Sequence, residues 1–180
     1  MRSTCAYLLS SFLLLLWSSS SASQPHLEKA VTYLGHVEHG NNRSVLIDRW
    51  NRAVGAPVGS PWCASYVAHC LTSGGARDPR ARTAWSRGYI TSTSIPASRI
   101  LTGAYRVRKG DILIWRRSAT QGHIGFALED WNGAKGKTIE GNTSSGQVGS
   151  QWNGNGVYTR FRVVSPYNHF RITHVTPVRY

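Results

Sequence analysis

Apolar residues recur at helical spacing through the first third of the chain. Leu27, Ala30, Val31, Leu34 and Val37 share one stripe and predict a helix over 26–38. Residues 38–42 (Glu-His-Gly-Asn-Asn) break the pattern, and Val45, Leu46, Trp50 and Val54 resume it over 44–54. Ser60-Pro61 predicts a third helix start, with serine as cap and proline in the first helical position, and Gly74-Gly75 predicts its end. Residues 76–104 are mixed and polar, with a short helix expected around Trp85. From residue 105 the apolar runs become short. Residues 111–115 read as a strand buried on both faces, and 123–128, 138–140, 156–161 and 170–175 as four more. Residues 131–137 and 141–156 read as turns. Helices before strands predict an α+β domain, its N-terminal helices packed on a C-terminal antiparallel sheet of about five strands.

The first 23 residues follow another logic. Arg2 precedes a short apolar run dominated by residues 12–17, and small residues with Ala22 among them follow. This is the pattern of an export leader, so residues 24–180 are taken as one folded domain, periplasmic or extracellular. The run falls short of the roughly 20 apolar residues that span a bilayer. No stable membrane insertion is expected after cleavage, a retained N-terminal anchor being the alternative. The chain has 21 Lys and Arg against 8 Asp and Glu, a formal charge of +13. Such an excess favours an anionic partner, although it also serves solubility. Export and the absence of a basic recognition motif disfavour nucleic acid, which leaves acidic lipid or an anionic envelope polymer.

Beyond the leader there are two cysteines, Cys63 and Cys70. On one helix, seven positions separate their Cα atoms by roughly 10.5 Å, beyond the about 7 Å a disulfide tolerates. An exported chain therefore carries free thiols, Cys70 read as buried and Cys63 as used. Cys63 falls in the first turn of its helix, where unpaired N–H groups and the helix dipole favour a thiolate and can hold an oxyanion. His123 opens a strand, a place from which an imidazole can meet a helix start and pair with a thiolate. Glu140 and Asn142 stand at i and i+2, on one face if the strand continues, where one can fix the imidazole and the other hold the loop or assist the oxyanion. Each residue alone has an ordinary structural reading as well. Trp62, Tyr66 and Trp115 are read first as core and second as candidates for lining the cleft. His36 and His39 have no third ligand at suggestive spacing, so neither metal nor cofactor is expected.

Four blocks carry a resemblance: Gly59-Ser-Pro-Trp-Cys63-Ala-Ser-Tyr-Val67, Arg108-Lys-Gly-Asp111-Ile-Leu-Ile, Gly122-His123-Ile-Gly-Phe and Thr138-Ile-Glu140-Gly-Asn142-Thr. In order and spacing the chain resembles the CHAP domain, a family of papain-like cysteine–histidine amidohydrolases and peptidases of bacterial cell wall, over roughly residues 26–165. The resemblance implies a papain-like fold, Cys63 as nucleophile, His123 as base and Glu140 as third residue. Asn142 is similar to an active-site asparagine of some members. Residues 38–42 resemble a segment that precedes the catalytic helix in one branch, read as scaffold or cleft wall. The calcium loop of some members has no counterpart, since residues 51–62 contain no acid. The implied activity is amide hydrolysis in peptidoglycan, by an amidase or an endopeptidase. A non-catalytic polymer binder and an exported transpeptidase or toxin are the alternatives.

Overall fold

The computed structural model describes residues 24–77, 83–118, 120–146, 154–164 and 171–180. The leader read in residues 1–23 lies outside the described residues. Three helices come first: α1 (Pro25–Val31), α2 (Val45–Ala53) and α3 (Cys63–Ser73). A 3₁₀ turn (Ser86–Tyr89), the strand β1 (Ile95–Pro96) and α4 (Ala97–Leu101) follow. The remaining strands are β2 (Ile112–Arg116), β3 (Gly122–Ala127), β4 (Lys135–Thr143), β5 (Gly156–Val163) and β6 (Arg171–Thr176). They form one antiparallel sheet in the order β1-β6-β2-β3-β4-β5. This is the expected α+β arrangement with six strands in place of about five. The extra strand, β1, is two residues long and too short for a period to register.

The helices differ from expectation in phase and length. Helix α1 stops at Val31 because the sheet edge captures the chain beyond it: Gly35 N–H donates to Val157 O at 2.9 Å, and Val37 bridges to Gly156. Leu27 and Ala30 are therefore buried, while Val31, Leu34 and Val37 remain exposed. Ser44 caps α2 through Ile47 N–H at 3.1 Å. That helix buries Ile47 and Trp50 and leaves Val45 in solvent. Helix α3 begins two residues after the expected Ser60-Pro61 start. Trp62 is its N-cap, and Tyr66 N–H to Trp62 O at 2.9 Å is the first helical bond. Ser60 instead closes a turn, its N–H donating to Pro57 O. Gly74 ends the helix, as expected, with its N–H on Cys70 O. Among the described residues no helix is long and apolar enough to cross a membrane.

The sheet is covered on both faces, so alternate residues of β2 enter different cores. Ile112 and Ile114 join Ile124, Phe126 and Ile139 beneath the three helices, packed on Trp50, Trp62, Tyr66 and Val67. Leu113 and Trp115 pack on the other face with Ile100, Trp131, Ile172 and Val175. Burying each such aliphatic side chain contributes about 1.5–3 kcal/mol. The turn before β2 is fixed by Asp111, whose Oδ2 accepts from Arg108 N–H at 2.9 Å and Tyr105 hydroxyl at 2.7 Å. The Arg108–Asp111 block thus anchors the sheet. Helix α3 lies over β3 and β4. Its approach needs Gly141, where a Cβ would stand 2.8 Å from the rings of Trp62 and Tyr66. The start of α3 is thereby held against the start of β3 and the end of β4.

Candidate active site

Cys63 is the first residue of α3 and borders a cleft of about 580 Å³. His123 and Asn142 line the same cleft, with Ser60, Trp85 and Arg117. The register of β2 and β3 pairs His123 with Trp115, whose ring centroid lies 5.4 Å from that of the imidazole. The Cys63 thiol and the imidazole are hydrogen-bonded. Nε2 of His123 is 2.9 Å from Glu140 Oε2. An ionised carboxylate only accepts, so Glu140 keeps the proton on Nε2 and leaves Nδ1 for the thiol.

The electrostatics follow from this chain of contacts. Burial works to raise the Cys63 thiol. Its hydrogen bond with His123, the charges of His123 and Arg117, and the Ala64 N–H outweigh burial and hold it below the ordinary thiol value. Burial works to lower His123, yet its bonds to Cys63 and Glu140 bring it above the ordinary imidazole value. Both shifts favour a thiolate–imidazolium pair. Glu140 is wholly buried, which opposes its charge. Arg162 and His123 overcome that and hold its carboxyl well below the usual carboxylate range.

Arg162 was not foreseen from the sequence. Its Nε donates to Glu140 Oε1 at 2.7 Å and its Nη2 to Oε2 at 2.5 Å. Thr138 hydroxyl adds a bond to Oε1 at 2.5 Å. Space for this carboxylate comes from Gly125 on β3, where a Cβ would stand 2.8 Å from Glu140 Cγ. No local pattern marks Arg162, because β5 inverts the usual rule: Phe161 and Val163 face solvent while Arg162 points inward.

Asn142 shares the cleft but not the orientation of Glu140. The strand runs through both, yet the β4–β5 register shifts between Glu140 and Thr143, and Asn142 sits at φ 52°. The bulge breaks the i, i+2 alternation. Its amide is directed at the start of α3. With the oxygen on that side it accepts from Trp62 N–H and Nε1–H, each at 3.1 Å, while the Asn42 amide stands 2.9 Å away. Glu38 ties this corner together, its carboxylate accepting from Trp62 Nε1 at 2.7 Å and Asn42 N–H at 2.9 Å. Residues 38–42 are thus scaffold for the helix start. Trp62, Tyr66 and Trp115 are buried in the core and do not line the cleft, because α3 and β2 turn these rings inward. The exposed aromatic on the cleft wall is Trp85. His36 is bonded to Ser44 Oγ at 2.9 Å and packs on Trp50. Cys70 is buried and free, and burial pushes its thiol far up.

No curated protein and no solved structure matches the chain. The family model of the CHAP domain matches residues 55–142, a span that runs from the cleft wall through Cys63, His123 and Glu140 to Asn142. Glu38, Asn42 and Arg162 lie outside it. Members of this family are generally hydrolases of amide bonds. The segment that builds this cleft thus matches the family that the four sequence blocks resemble.

Proposed function

We propose that this chain is an exported cysteine hydrolase that cleaves amide bonds of bacterial peptidoglycan, as an amidase or an endopeptidase. The observation that carries the reading is the thiol at the first position of α3, hydrogen-bonded to an imidazole whose other nitrogen is held by a buried carboxylate. In this reading the Cys63 thiolate attacks the amide carbonyl carbon, forming a C–S bond. The first N–H groups of α3, which precede its first helical bond, receive the developing oxyanion. His123 gives its proton to the leaving nitrogen as the C–N bond breaks. It then takes a proton from water, which attacks the thioester and releases the carboxylic acid and the thiol. Glu140 holds the ring in orientation throughout, and Asn142 braces the helix start that carries the nucleophile. The net positive charge draws the chain to the anionic envelope.

The test is digestion of purified peptidoglycan by residues 24–180 beside a Cys63→Ala variant, with mass spectrometry of the released fragments. Stem peptides freed from glycan identify an amidase, and shortened or uncrosslinked stems an endopeptidase. Transfer of the acyl group to an added amine would identify a transpeptidase. Retention by the wall with no Cys63-dependent product would replace the enzyme with a binder.

A further inference from the structure

The cleft carries a fixed charge beside its reacting atoms. Arg117 stands immediately after β2, two residues past Trp115, the partner of His123. Its N–H donates to Gln121 O at 3.0 Å, closing the short connection that leads into Gly122 and His123. The hairpin therefore sets the position of Arg117 relative to the base. Its side chain lines the cleft with Cys63, and its charge acts on both the Cys63 sulfur and Glu140. Apart from the reacting pair, Arg117 is the one charged side chain on that wall, and no Asp or Glu lines it among the described residues. Burial draws the guanidinium below its ordinary value, the sign of a cation held partly out of water. A guanidinium in such a place matches a carboxylate in shape and charge and binds it through two parallel N–H bonds.

We propose that Arg117 is a substrate-recognition residue that binds a free carboxylate carried by the peptide whose amide Cys63 attacks. The proposal rests on the hydrolase reading for its substrate, but the anion site itself does not. The substrate class is a peptide with a carboxylate within one side-chain length of the scissile amide. The same peptide bearing a carboxamide there loses the charge-assisted pair of bonds.

Two measurements separate this site from a general effect on the thiolate. The first is the rate of Cys63 alkylation by iodoacetate against iodoacetamide, which differ as carboxylate and carboxamide. The iodoacetate to iodoacetamide rate ratio at Cys63 should exceed that of free cysteine. It should fall about tenfold in Arg117→Gln and less in Arg117→Lys, which keeps the charge without the fork. The second compares hydrolysis of a matched peptide pair, carboxylate and carboxamide, in which the wild-type preference should collapse in Arg117→Gln. Equal slowing of both reagents would assign Arg117 to the thiolate alone and overturn the site, as would an unchanged ratio. A shifted alkylation ratio with neither peptide hydrolysed would leave the anion site standing and sink the hydrolase reading instead.

Discussion

Replacing Arg162 by methionine tests how the buried carboxylate is sustained. Methionine keeps most of the stem beside Trp115, whose ring lies 5.8 Å from the guanidinium carbon, and removes the charge and both bonds to Glu140. Glu140 would remain fully buried with Thr138 and His123 as its donors. Removing one partner of a buried ion pair costs about 3–5 kcal/mol, because the other charge stays behind. The Arg162 side chain is 18% exposed, so water reaches the vacated site in part. The lower end, about 3 kcal/mol at pH 7, is therefore expected.

The sign of the pH dependence is fixed by the same contacts. In the wild type the folded carboxyl lies below its unfolded value. Its contribution to stability is complete above about pH 4.5 and is lost as pH falls, by up to about 1.4 kcal/mol per unit. In Arg162→Met the burial effect meets less opposition, so the folded carboxyl takes up its proton at higher pH than in the wild type. The stability gap between the two proteins must then narrow on acidification. Urea unfolding at pH 7 and pH 5, with equal m-values as the control, measures it. A loss below about 1 kcal/mol at pH 7, or a gap that widens toward acid, would refute the reasoning. The double variant Glu140→Gln/Arg162→Met should be more stable than Arg162→Met alone, since it leaves no unpaired buried charge.

Three further outcomes are expected. Iodoacetamide at neutral pH should add a single carbamidomethyl group to residues 24–180, on Cys63 and not on Cys70, whose thiol is buried and pushed far up; tryptic mass spectrometry reads the site. The profile of kcat/KM against pH should be a bell, its acid limb below the ordinary thiol value and its alkaline limb above the ordinary imidazole value, because Cys63 is lowered and His123 raised. Gly125→Ala places a methyl group 2.8 Å from Glu140 Cγ and Ile139 O, and should cost about 1–3 kcal/mol in thermal or urea unfolding as well as kcat.

How much of this was legible in the sequence depended on the range over which each signal acts. Strands β2 and β3 were visible because they carry largely apolar runs that both faces of the sheet demand, whereas β1 and the ends of β4 were not. The helix start was visible to within two residues from local chemistry, and Glu140 stands beside His123 on the neighbouring strand. The i, i+2 relation that would put Asn142 on the same face is broken, because a bulge in β4 is decided by pairing with β5 and leaves no mark in the local pattern. The end of α1 failed likewise, since the sheet edge that captures Gly35 and Val37 comes from residues 156 and 157. Trp62, Tyr66 and Trp115 were read first as core, which is where they lie, and their second reading as cleft lining fails because their elements turn the rings inward. Arg162 was hidden by a rule that assigns charge to solvent and phenylalanine to core, a rule that β5 inverts around Glu140.

In the proposed mechanism, that inversion bears on how Cys63 and His123 act as an acid–base pair. A lone carboxylate beside His123 would bind the imidazolium proton tightly and make it a reluctant donor to the leaving nitrogen. Arg162 shares that carboxylate, so Glu140 divides its charge between the guanidinium and the ring while still holding His123 above the ordinary imidazole value. With Cys63 as thiolate and His123 as imidazolium, the four groups sum to zero, and Arg117 then leaves the cleft with one positive charge. An anionic group arriving near Arg117 is thus met by a net attraction that the catalytic pair does not offset. The prediction peculiar to this balance is that Arg162→Met should move the alkaline limb of the pH profile upward, by removing a positive charge that opposes the imidazolium. A downward shift would mean that Arg162 supports the imidazolium by ordering Glu140 more than it opposes it by charge.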